Sequence, residues 1–161
     1  MTNKSYLGSN MRCKKEPYQH PDSHIVCDML SMCFDGSFAN STSRKRVRNT
    51  LDQQVFQTVS LLYRGLAERL LTSLGKLPQD TGTMNPEPGY IAIAYLSALN
   101  ASDKYFSNRV MMVNWQVIKR IGRLVHKLDD RLFANMIIDY LARIQVVLDS
   151  TQNRRKAARL V

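Results

Sequence analysis

Apolar residues in this chain recur with helical spacing. In "DSHIVCDMLSMCF", Ile25, Val26, Met29, Leu30, Cys33 and Phe34 make one face of an amphipathic helix, with Asp22 or Ser23 placed to cap it. The stretch "DGSFANSTS" at 35–43 reads as a loop from its Gly, Asn and Ser content. From about Arg46 to Gly75, Val55, Val59, Leu62, Leu66, Leu70 and Leu74 form a second stripe. Gly65 marks either a close packing contact or a bend within it. Gly75 and Pro78 end that helix, and the Pro- and Gly-rich segment 78–89 reads as a loop. "YIAIAYLSAL" at 90–99 fits strand alternation in part, but its alanines, its leucines and the Pro-Glu-Pro-Gly lead-in favour a helix.

The C-terminal half is the most apolar. Asp103 or Ser107 is placed to start a helix carrying Val110, Val113, Val117, Ile121, Leu124 and Leu128 on one stripe, broadened by Ile118 and Val125. Asp129 and Asp130 mark a junction. A broad-faced helix follows through Leu132, Phe133, Met136, Ile137, Tyr140, Leu141, Ile144, Val147 and Leu148. No strand and no repeat emerges. The expectation is an all-α bundle of five to seven helices, with the last two apolar helices as its central hairpin. The chain divides into a flexible segment 1–20, a helical domain 21–150 and a basic tail 151–161.

Composition adds one domain's worth of chain, with 161 residues of which 44% are hydrophobic. No run reaches the roughly 18 to 20 apolar residues of a membrane span. The first 20 residues lack the apolar centre of a secretory signal, so a soluble cytoplasmic protein is expected. Cys13, Cys27 and Cys33 form no even disulfide set and fit a reducing compartment. With His20 and His24 nearby, Cys27 and Cys33 can be imagined as metal ligands. Their spacing matches no standard site, and buried thiols suit the helical pattern better.

The net charge is +10, yet it is concentrated. Arg44, Lys45, Arg46 and Arg48 supply four charges, and Arg154, Arg155, Lys156 and Arg159 supply four more. Setting those eight aside leaves +2 for the rest. Such clusters are solvated segments, phosphate contacts, import signals or attractors of anionic lipid. No phosphate loop, nucleophile elbow, paired carboxylates or metal-binding helix is present, so binding is expected rather than catalysis, with no cofactor. Two kinds of binding compete. One is nucleic acid held by the basic clusters. The other is an amphipathic partner helix laid in an apolar groove.

Asn114 and Trp115, the latter the only tryptophan, stand inside an apolar helical pattern. An ordinary helix start, a core tryptophan or part of a binding site would each account for them. Together with the order of elements from 22 to 150, they resemble the Bcl-2 family of apoptosis regulators. "KRVRNTLDQQV" is similar to that family's third homology motif through Val47, Arg48 and Asp52, with Leu51 where a small residue is usual and Val55 following. "LLYRGLAERLLTSL" resembles the helix after it, and "FSNRVMMVNWQVIKRIGRLV" the first homology motif at Asn114 and Trp115. Gln116 and Val117 replace the family's Gly-Arg. Lys119 or Arg120 is the nearest cation to serve in its place. "NRRKAARLV" lacks the Gly-Gly-Trp of the second motif, and no membrane anchor follows.

The resemblance implies a Bcl-2-like bundle in which Asn114 caps the central helix. Its partner-binding groove would be built from Phe56, Val59, Tyr63, Leu66 and Leu70 facing Asn114, Trp115, Val117, Ile118, Arg120 and Ile121. It implies capture of amphipathic helices from pro-apoptotic relatives, hence a pro-survival protein, cytoplasmic or peripheral at mitochondria. The opposite polarity would use the exposed segment of Val47, Arg48, Leu51, Asp52 and Val55 as a ligand. A homodimer, and weak contact with anionic membrane or nucleic acid, complete the expected partners.

Overall fold

The computed structural model describes residues 21–75 and 89–160. Among them are five helices and no strand: α1 (Pro21–Arg46), α2 (Thr50–Leu74), α3 (Tyr90–Leu99), α4 (Phe106–Val125) and α5 (Arg131–Ala158). The all-α expectation holds. The segment 1–20, with Cys13 and His20, and the expected loop from 78 to 88 lie outside the described residues.

The stripes of α2, α4 and α5 fall where their spacing places them. On α2, Val55, Val59, Leu66, Leu70 and Leu74 are buried. On α4, Val110, Val113, Val117 and Ile121 are, and on α5, Ile137, Leu141, Ile144 and Leu148. Polar side chains start two of these helices. The Asn49 Oδ1 accepts the Leu51 and Asp52 amides at 2.8 and 3.2 Å, and the Asp130 carboxylate accepts the Phe133 amide at 3.0 Å.

Several expectations are corrected. Residues 35–43 are not a loop; α1 runs through them to Arg46. Their small and polar side chains make a helix–helix interface. A Cβ on Gly36 would lie 2.7 Å from the Tyr63 ring, so the glycine lets α2 approach α1. Beside it, the Ser60 hydroxyl donates to the Ser37 carbonyl at 2.8 Å. Ala39, Asn40 and Ser43 are wholly enclosed.

The centre of the bundle also differs. α1 and α2 share the most extensive interface, and α1 touches α2, α3 and α4. α5 packs only on α2 and α4, and leaves Leu132, Ile138 and Val146 in solvent. The enclosed element is therefore α1 rather than the α4–α5 hairpin. Finally, Asn114 does not begin a helix. It sits inside α4, which starts at Phe106.

Gly65 does not bend α2, which is continuous. A Cβ there would meet the Tyr140 ring at 3.2 Å, so the close-packing alternative describes it. The boundary drawn at 150 falls inside α5, so the basic residues 154–156 stand on a helix. Of the two cysteines expected as buried thiols, Cys33 is one. Cys27 is buried but disulfide-bonded.

Candidate functional site

The residues expected to wall a groove lie in the interior. Phe56, Val59, Tyr63, Leu66 and Leu70 have no exposed surface. Val117 and Ile121 have none either, and Ile118 has 8%. They meet as core, so a partner helix reaches them only if α2 parts from the rest of the bundle. Arg120 is outside, its guanidinium 5.8 Å from the Tyr90 ring centre. Trp115 alone of the set is half-buried at the surface. In the death-motif-like segment, Val55 is buried and Val47 half-buried, whereas Arg48 and Leu51 are exposed. Asp52 is 27% exposed and ion-paired to Arg155 at 3.3 Å, so the segment is docked on its own bundle.

Asn114 is the hub of a buried polar network. Its Oδ1 accepts from Asn40 Nδ2 at 2.8 Å and from the Tyr95 hydroxyl at 2.6 Å, and its Nδ2 donates to Asn40 Oδ1 at 2.9 Å. Asn40 also donates to the Gly36 carbonyl at 2.7 Å, and the Tyr63 hydroxyl to the Asn114 carbonyl at 3.4 Å. The carboxamide thus joins α4 to α1 and α3, and the backbone carbonyl of the same residue adds α2, with the polar atoms partnered as burial requires. Cys33 and Asp35 are sealed nearby. Burial pushes the Asp35 carboxyl up to about 7 and raises the Cys33 thiol and both tyrosine hydroxyls above their ordinary ranges. A buried, protonated thiol is inert. These groups form part of the core and have no access to a substrate. Among the described residues, no three His, Cys, Asp or Glu side chains converge as a metal site would need.

Two of the surface cavities among the described residues lie side by side, sharing Asn108 and Arg155. The first is a trough of about 250 Å³ between α4 and α5. Asn108, Met111, Met112 and Trp115 line it on one side, and Leu148, Thr151, Gln152, Arg155, Lys156 and Arg159 on the other. Its volume lies below the roughly 300 to 1,000 Å³ of small-molecule pockets, and suits one or two anchoring side chains. Met112 is 63% exposed, so the floor offers an adaptable apolar contact. Three cations and no carboxylate face it.

The second is a cleft of about 530 Å³ where α1 ends and α2 and α4 begin, reached by α5. Here both basic runs of the sequence meet. Asn108 and Arg155 line both cavities.

Sequence reasoning singled out Trp115 and the basic run with Arg155, Lys156 and Arg159, but did not join them into a trough. Its signal was present as two faces, 108, 111, 112 and 115 on α4, and 148, 151, 152, 155, 156 and 159 on α5, each with helical spacing. Nothing in the sequence says that those faces adjoin. The chain matches no family model, no curated protein and no solved structure.

Proposed function

We propose that this protein is a non-enzymatic regulator that captures an amphipathic helix on the α4–α5 face. The observation that carries this reading is the trough itself, with Met112 exposed and Trp115 half-buried over the buried Met111, beside Arg155, Lys156 and Arg159. A helix that seats apolar anchors at i and at i+3 or i+4, with carboxylates beside them, complements both its volume and its charge. Of the partners that fit, the resemblance at Asn114 and Trp115 favours the death-motif helices of pro-apoptotic proteins. Sequestering such helices would make the protein pro-survival and would place it in the cytoplasm, peripherally at mitochondria. The Bcl-2-like arrangement belongs to the same proposal.

Trp115 is the only tryptophan, so its emission reports on the trough alone. Titration with a panel of death-motif peptides should shift that emission and release heat at micromolar concentration. Met112→Glu should abolish both while the circular dichroism spectrum stays helical. No response to any peptide would sink the proposal. Leu66→Glu is no test of it, because Leu66 has no exposed surface and a buried carboxylate there would unfold the chain.

A further inference from the structure

Residues from opposite ends of the described chain close around the second cleft. Arg46, Arg48, Lys104 and Arg155 bring four cations to it, and Asp52 and Asp103 two carboxylates. Two of the cations are fixed. Arg46 lies 4.0 Å above the Phe106 ring and donates to Asp103 at 2.8 Å, to the Leu99 carbonyl at 2.6 Å and to the Ala101 carbonyl at 2.8 Å. Arg155 donates to Asn108, to the Ser107 hydroxyl at 2.8 Å and to Asp52 at 3.3 Å. Arg48 and Lys104 are exposed at the rim.

We propose that this cleft binds a phosphate-bearing ligand. Four cations against two carboxylates leave a double positive charge, which the −1.5 to −2 of a phosphate monoester neutralises and a single carboxylate does not. The starts of α2 and α4 open on the cleft with the positive ends of their dipoles and the end of α1 with a negative one, so the side-chain charges dominate. The first amides of α2 are not donors to the ligand, since Asn49 already accepts two of them. Recognition therefore falls to side chains. Arg155, its terminal nitrogens engaged with Asn108, Asp52 and Ser107, adds charge from the wall, while Lys104 and Arg48 close from the rim as the cationic donors, and Ser107 and Asn108 supply short polar contacts. Val47 and Phe106 are the only apolar residues of the lining, so an uncharged ligand gains little here. The cleft has the volume of a small-molecule site. Leu51 and Tyr105, each 50% exposed, adjoin lining residues in the chain and would meet a bilayer if the phosphate belongs to a lipid headgroup.

This inference is independent of helix capture, and its experiment leaves Trp115 untouched. The full chain is titrated with inorganic pyrophosphate by calorimetry. In parallel it is sedimented with vesicles of phosphatidylcholine, alone or with phosphatidylinositol bisphosphate. Saturable binding to pyrophosphate indicates a free phosphate ligand; binding only to the doped vesicles indicates a headgroup; either supports the cleft. The double variant Arg48→Glu with Lys104→Glu should weaken binding about 25-fold or more, at about fivefold for each cation lost. Asp52→Asn should strengthen it about fivefold by removing a competing carboxylate. Lys119→Glu, the same charge reversal outside the cleft, should leave affinity within twofold, and thermal melts of all variants check that the fold is intact. The proposal is overturned if neither probe binds, if Lys119→Glu costs as much as the cleft variants, or if only a single-stranded oligonucleotide binds.

Discussion

Asn114 shows what one side chain can hold. Replacing it with Ala leaves Asn40 and the Tyr95 hydroxyl, both fully enclosed, without their shared partner. Each stranded polar group costs about 1 to 3 kcal/mol. Urea unfolding of Asn114→Ala should therefore show a loss of about 3 kcal/mol or more, far above the effect of an exposed asparagine such as Asn135. Asp35 makes a different prediction. Its carboxyl is held up to about 7 by burial, whereas the unfolded chain releases the proton at about 4. The native state keeps the proton longer, so this group's contribution is fully present below pH 4 and is lost as pH rises towards 7. Asp35→Asn removes that dependence. Melting curves should place the variant several degrees above the parent at pH 8, with the gap closing by about pH 4.

The helices differ in how they tolerate change at their contacts. Gly36 faces a Tyr63 ring that has no free space, so Gly36→Ala should cost about 1 to 3 kcal/mol. Gly65 faces Tyr140, which is half-buried and free to yield a few tenths of an ångström. Gly65→Ala should be near neutral or stabilising, since it also raises helix propensity. Paired thermal melts of the two variants check the contrast. This asymmetry explains what could be read from the sequence. α2, α4 and α5 were legible because one broad apolar stripe meets one side of the core. The second half of α1 was not. It is enclosed by three neighbours, and close approach there demands Gly, Ser, Ala and Asn, the residues that elsewhere signal a loop. Asn114 was misread for the same reason. An asparagine within a helix disfavours the helix locally, and only tertiary partners show that its polar atoms are matched. The trough and the cleft needed two distant helix faces to adjoin, which no local pattern encodes. Trp115 was the one residue whose identity alone drew attention to the trough.

For the whole molecule, Arg155 is the tie between its ends. From the last turns of α5 it reaches Asp52 at the start of α2 and Ser107 and Asn108 at the start of α4. The sequence reading made the last residues a basic tail outside the helical domain. A chain ending at Ser150 should instead lose the trough and the cleft together, since Arg155 lines each. Trp115 emission should move to longer wavelength as its α5 neighbours disappear, while the core helices α1 and α2 persist in hydrogen exchange. The polar hub acts at this scale too. The carboxamides of Asn40 and Asn114 are 74 positions apart, whereas α1 and α2 are joined by three residues. As the chain leaves the ribosome, the α1–α2 hairpin can close early, with its half of the amide pair still waiting in an open seam. When α4 arrives, a slip of one turn along that seam would bury two unanswered amides, so the pair sets the register of α4 against α1.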